Sequence, residues 1–216
     1  MPCAICETRR EKRFCPAVHG RICPQCCGEQ REVTLDCPSD CSYLQQAREH
    51  ERARPLADLD RSTLFPKVEI GRQFVREREP LILGLSLALR ESARADRSLR
   101  DSDLISALSA LAKTYETLSS SGLLLETPMT NLAHQAIVSG VQKSIEEYRR
   151  GNREQTGYTR LGDSDVLRAL VFLVRLAIGR TSGRPRSRAF VDFLCAQFPE
   201  KPSAIASGEA SGLLVV

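Results

Sequence analysis

Eight of the nine cysteines fall within the first 41 residues, at positions 3, 6, 15, 23, 26, 27, 37 and 41, and the ninth is Cys195. Sulfur at that density is either cross-linked or bound to metal, because a segment of about 40 residues is too short to build a sufficient hydrophobic core. No apolar signal-peptide core appears in Met-Pro-Cys-Ala-Ile-Cys-Glu-Thr-Arg-Arg at positions 1–10. A secreted disulfide framework is therefore not the expectation. In a reducing compartment the same pattern reads as metal ligation.

The spacing is that of ligand pairs. Cys3-Ala-Ile-Cys6 and Cys23-Pro-Gln-Cys26 are C-x2-C knuckles, and Cys37-Pro-Ser-Asp-Cys41 is a looser C-x3-C pair. Two intervening residues let both sulfurs reach one ion while backbone N–H groups turn toward them. Eight thiolates make two tetrahedral sites with no open position, the character of structural zinc. The adjacent Cys26 and Cys27 constrain the pairing, since neighbouring side chains diverge in either a strand or a helix. If Cys26 stays with Cys23, Cys27 serves the other ion. The simplest division gives Cys3, Cys6, Cys23 and Cys26 to site 1, and Cys15, Cys27, Cys37 and Cys41 to site 2.

Over residues 3–41 this interleaving resembles the cross-brace zinc fingers of the B-box and RING type, in which alternate pairs share an ion. Those patterns include histidine ligands that have no match here, so their ubiquitin-transfer activity is not carried over. His19, four residues after Cys15, is an alternative ligand in place of Cys15 or Cys27; the plainer reading makes it a turn residue in Val-His-Gly. An iron–sulfur cluster, which needs only four cysteines, is the alternative cofactor.

Metal also changes the charge argument. The formal net charge of +4 invites a nucleic-acid reading. Residues 1–55 hold nine Lys/Arg against eight Asp/Glu. Ligand thiolates are deprotonated. Eight of them with two Zn²⁺ bring the module to about −3 and the whole chain to roughly zero. A net acidic finger is a poor phosphate binder.

The remainder reads as helices. Ser42–Glu49 leaves the second site as a short helix, and a linker is expected over 50–62. Within an all-α domain over 63–198, of five or six helices, Val68–Glu79 is followed by Pro80. Leu81–Ser92 is apolar on nearly all sides and reads as the central helix. Asp101 or Ser102 caps a helix that stops near Gly122. Thr127-Pro128 opens another, with Gly151 after its end. Asn152–Gly162 reads as a loop, Asp163 caps a helix ending near Gly179, and Ser187–Phe198 is the last. Residues 199–216 read as a tail. The fold class is mainly α, with a small irregular two-zinc module at 1–49. Leu99–Leu108 parallels Leu161–Leu170; shared capping chemistry explains this more simply than a duplicated helical hairpin.

Catalytic signatures are lacking. No Gly-rich phosphate loop, G-x-S-x-G or HExxH occurs. His134 reads as a packed or surface residue, and Cys195 as a buried one. The longest apolar run, Leu81–Leu89, is about half a membrane span. The loop Arg180–Arg188 carries arginines at 180, 184, 186 and 188, and its Gly183-Arg184-Pro185 is similar to the core of the AT-hook; a plain inter-helix turn competes with that reading. Arginine outnumbers lysine 26 to 5, which suggests a GC-rich bacterial source. The sequence thus points to a cytoplasmic, non-enzymatic adaptor or regulator in which zinc is structural and the partner is a protein. A nucleic-acid-binding regulator using the finger and the Arg180–Arg188 loop is the first alternative. A metal- or redox-responsive sensor is the second.

Overall fold

The computed structural model describes residues 1–51, 64–123, 128–156 and 161–199. Among these, one antiparallel hairpin and eight helices form. In chain order they are β1 (Arg13–Cys15), β2 (Gly20–Ile22), α1 (Pro24–Gln30), α2 (Ser42–Glu51), α3 (Arg72–Glu77), α4 (Glu79–Ala95), α5 (Asp101–Ser121), α6 (Leu132–Thr156), α7 (Asp163–Arg180) and α8 (Ala189–Gln197). The chain is mainly α, with a small irregular cysteine-rich segment ahead of a helical body. The expected linker lies outside the described residues except for His50 and Glu51, which end α2, and so does the expected tail beyond Pro199.

Two separate apolar clusters are buried. That of the first segment consists of Cys3, Cys15, Ile22, Cys23, Cys26, Cys27 and Leu35. That of the body is aliphatic, with Leu85 and Leu89 from α4, Leu104 and Leu108 from α5, Val141 and Ile145 from α6, Leu170 and Val174 from α7, and Phe190 from α8. Full burial of each such side chain contributes roughly 1.5–3 kcal/mol, so the body has an ordinary core and the first segment does not. Helices α4 and α6 approach closely at Gly84, where a Cβ would stand 3.2 Å from Ser144 Oγ.

Several helix limits differ from those expected, each for a local reason. Residues 68–71, expected at the start of the Val68–Glu79 helix, are not helical. Arg175 of α7 donates to the carbonyls of Leu64, Phe65 and Val68 at 2.8–2.9 Å, and Phe65 has φ +50°. That removes the acceptors a first helical turn would use, so α3 begins only after Gly71. Pro80 falls in the first turn of α4, where its missing N–H costs nothing. Helix α6 starts at Leu132, after Asn131 accepts from Ala133 N–H at 2.9 Å. It then runs through Gly151 to Thr156. A helical glycine costs only about 1 kcal/mol relative to alanine, too little to end a helix already packed for several turns.

Asp101 does not cap its own helix. Its side chain is fully buried and reaches the start of α8. There it accepts from Phe190 and Val191 N–H at 3.1 Å and from the Ser187 hydroxyl at 2.7 Å. Asp103 takes the Arg100 N–H at 2.8 Å instead, and Gly122, left-handed at φ +70°, ends α5 as expected. The parallel segment at α7 uses its acids otherwise: Asp163 pairs with Arg149, and Asp165 with Arg78 at 2.7 Å. The two segments share a place at a helix start and differ in every bond their acids make.

Asp101→Ala is expected to lower stability by about 2–4 kcal/mol, since it leaves buried donors unpaired. Asp103→Ala, at a half-exposed cap, should cost about 1 kcal/mol. Urea denaturation of both variants checks this; equal losses would show that the α5–α8 link is not special.

Candidate metal centre

The hairpin brings the two knuckles together. Lys12 N–H bonds Ile22 O and Ala4 N–H bonds Arg21 O, both at 3.0 Å, which lays the first knuckle along β2. Cys3 N–H bonds Arg9 O at 2.8 Å, and Glu7, at φ +57°, turns the chain back with its N–H on Cys3 O. The second knuckle is a helix start. Cys23 is the N-cap of α1, Pro24 follows, and the Cys23 sulfur accepts the Cys26 N–H at 3.4 Å. A thiolate at a helix N-terminus is favoured by the unpaired N–H groups there.

Within this frame the sulfurs of Cys3, Cys6, Cys23 and Cys26 all lie within 4.8 Å of one another. Zn–S bonds of about 2.3 Å place the sulfurs of a tetrahedron roughly 3.8 Å apart, so the four can hold one metal ion. Backbone N–H groups support the sulfurs: those of Ile5 and Cys23 reach Cys3 Sγ at 3.5 and 3.2 Å. Arg9 adds charge, with Nη1 at 3.9 Å from both Cys23 and Cys26 Sγ.

The thiols differ in acidity. The Thr8 hydroxyl, with the N–H groups of Arg9 and Thr8, lowers Cys6 to about 5. Burial, with the neighbouring sulfurs, raises Cys26 to about 12. Four sulfurs this close resist joint ionisation unless a cation sits among them, and a divalent ion relieves that repulsion directly.

Cys15, Cys27, Cys37 and Cys41 line a second, small cavity beside Ile22, Leu35 and Leu44. Burial raises the Cys37 thiol, and Cys15 and Cys41 raise it further. These four are less tightly gathered; among the described residues only the first four cysteines form a cluster within 4.8 Å. Of the consecutive pair on α1, Cys26 belongs to the four-sulfur cluster and Cys27 lines the cavity. His19 is exposed in the hairpin turn at φ +48° and belongs to no ligand cluster among the described residues. Cys195 is half-buried on α8, its thiol raised by burial. His134 Nε2 lies 3.2 Å from Asp103 Oδ1.

The Arg180–Arg188 loop is turned inward. Arg184 donates to the carbonyls of Gly28 and Arg31 at 2.9 and 2.7 Å. Arg186 N–H bonds Glu32 O at 2.8 Å, and its guanidinium meets Asp36 at 2.6 Å. Arg188 holds the carbonyls of Arg97 and Leu99, and Arg180 stacks 4.0 Å from the Phe193 ring centroid. All four arginines proposed as phosphate contacts thus bind this chain, two of them the cysteine-rich segment. Glu32, which the sequence did not single out, is the centre of that contact. It is 2% exposed, at φ +53°, and its carboxylate takes Arg48 at 2.7 Å and the Ser182 hydroxyl at 2.8 Å. Arg48 also meets Asp192 of α8 at 2.7 Å. Arg100 reaches Asp36 at 2.6 Å.

Comparison with protein-family models, curated proteins and solved structures finds no match to this chain. Among the described residues, no helix is long and apolar enough to cross a membrane.

Glu32→Gln should destabilise the chain by about 3 kcal/mol, because it removes one partner of a buried ion pair. Arg186→Ala, at an exposed pair, should cost no more than about 1 kcal/mol. Hydrogen exchange is the readout: in Glu32→Gln, amides 28–36 and 182–187 should lose protection together. Unchanged exchange in both segments would contradict the role given to Glu32.

Proposed function

We propose that this chain is a zinc-binding adaptor or regulator that acts through protein–protein contact, its zinc structural. The observation that carries the reading is the four-cysteine cluster of Cys3, Cys6, Cys23 and Cys26. Four thiolates complete a tetrahedral shell, so no ligand position is left for water or substrate. Such an ion organises a segment whose cluster of buried side chains is mostly cysteine. The proposal extends to a second zinc ion on Cys15, Cys27, Cys37 and Cys41, supported by their common cavity. Zinc fits the all-sulfur donor set and a reducing, cytoplasmic setting. The segment over residues 1–49 is then a module, and the helical body over 63–198 the platform it is docked on.

The inward contacts of Arg184, Arg186 and Arg188 weigh against the nucleic-acid alternative, because the loop would have to leave the chain's own carbonyls and carboxylates to reach phosphate.

Protein purified without added metal is expected to contain close to two zinc ions per chain by elemental analysis. Full thiol modification should release both. In Cys6→Ser the content should fall toward one ion, and in Cys37→Ser as well, since each removes a ligand from a different site. A brown, iron-containing sample would overturn zinc; a single ion unaffected by Cys37→Ser would overturn the second site. For the adaptor role, the full zinc-loaded chain is expected to hold a defined protein partner in pull-down. A chain that binds no protein yet turns over a substrate would refute it.

A further inference from the structure

The charges of the cysteine-rich segment are divided along the chain. Residues 1–22 carry five Lys/Arg and two Asp/Glu, whereas residues 23–51 carry two Lys/Arg and six Asp/Glu. The acidic part is the part the helical body meets: Arg100, Arg184 and Arg186 lie on its carboxylates and carbonyls, and its own Arg48 reaches Asp192 of α8. The basic part faces away. Two of its cations are engaged within the segment, Arg9 at the sulfurs and Arg13 stacked 4.4 Å from the Tyr43 ring centroid. Arg10, Lys12 and Arg21 remain exposed.

The hairpin arranges what is left. Phe14 stands opposite Arg21 in the register, so both project from one face; Lys12 is exposed beside them just before β1, where its N–H bonds Ile22 O. Cys15 and Ile22 turn the other way, into the sulfur core. Phe14 is 57% exposed although Cys15 and Ile22 on the other face are buried, and Val18 at the turn is exposed as well. Arg21 contacts Glu11 at 3.3 Å while still 57% exposed.

We propose that this outer hairpin face, Lys12, Phe14 and Arg21, is the docking surface for an acidic protein segment that carries an apolar side chain. The inference rests on the adaptor reading above and names the chemistry of its partner. Cations flanking one exposed aromatic ring pair with carboxylates on either side of a buried apolar residue. The apolar groups present favour a protein over a nucleic acid. Successive bases stack on several aromatic rings; Phe14 is the only aromatic residue of the hairpin, and the other exposed apolar residue in it, Val18, is aliphatic.

The test uses the full, zinc-loaded, isotope-labelled chain with a synthetic peptide alternating glutamate with leucine. Saturable shifts of the Lys12, Phe14 and Arg21 amides are expected, with affinity falling as salt rises. Lys12→Glu/Phe14→Ser/Arg21→Glu should bind about tenfold more weakly or worse, with zinc content unchanged as the check on folding. Lys12→Glu alone, a fully surface change, should weaken binding in the same direction. Equal binding of a lysine–leucine peptide, no binding of the acidic peptide, or shifts on the same face only with oligothymidylate would each overturn the proposal. A cellular partner retained equally by wild type and the triple variant would overturn this surface while leaving the adaptor reading intact.

Discussion

Sulfur takes the place of hydrocarbon at the centre of the first segment. Its buried cluster holds five cysteines and only two aliphatic side chains, Ile22 and Leu35. Thiols packed in this way contribute little cohesion, and once ionised they repel one another. A divalent ion converts that repulsion into the strongest local attraction in the segment. The hairpin, the turn at Glu7 and the start of α1 all serve to bring four sulfurs within bonding range of one point. Each is too short to persist alone: strands of three residues and a helix of seven are far below the lengths that hold in isolation.

The helical body depends on that segment through charge rather than through a shared apolar core. The two buried clusters are separate, and the contact between them runs through Glu32, Arg48, Asp192, Ser182, Arg184 and Asp36. The loop at 28–36 that receives these groups is bracketed by Cys27 and Cys37. Its shape, including the positive φ of Glu32, is held by the bonds it makes to Arg48, Ser182, Arg184 and Arg186. A buried carboxylate needs partners already in place, because an unmatched charge there costs several kcal/mol, on the order of 3–5.

What could be read from the sequence follows from how far each signal reaches. The divergence of Cys26 and Cys27 was legible because it holds in any regular backbone, and the structure puts Cys26 in the four-sulfur cluster and Cys27 outside it, in the lining of the neighbouring cavity. The helical character of the body was legible from its 3.6-residue apolar period. The hairpin was missed because three-residue strands have no period to detect. The continuation of α6 past Gly151 was missed because a glycine weighs heavily in local propensity and little against tertiary packing. Asp101 and Glu32 were out of reach for another reason. Their partners lie about 90 and 150 residues away, and nothing in Arg-Asp-Ser-Asp or Arg-Glu-Val distinguishes a buried acid from a surface one.

Charge shows the limit of composition most clearly. A net charge of +4 suggests a basic protein, and two bound zinc ions on eight thiolates would bring it near zero; both figures average over groups with different tasks. Residues 23–51 are acidic where arginines of the helical body settle, and residues 1–22 are basic where, among the described residues, Lys12 and Arg10 stay exposed. The arginine-rich loop that most resembles a nucleic-acid element is the one most fully engaged internally. Its guanidinium groups each meet fixed carbonyls, carboxylates or a ring at short range, and a distant phosphate would have to compete with several preorganised bonds at once. The cations that stay exposed, Arg10 and Lys12, belong to the basic run at 9–13 of the cysteine-rich segment. Position relative to the sulfur core, and not the density of arginine, decides which charges are available.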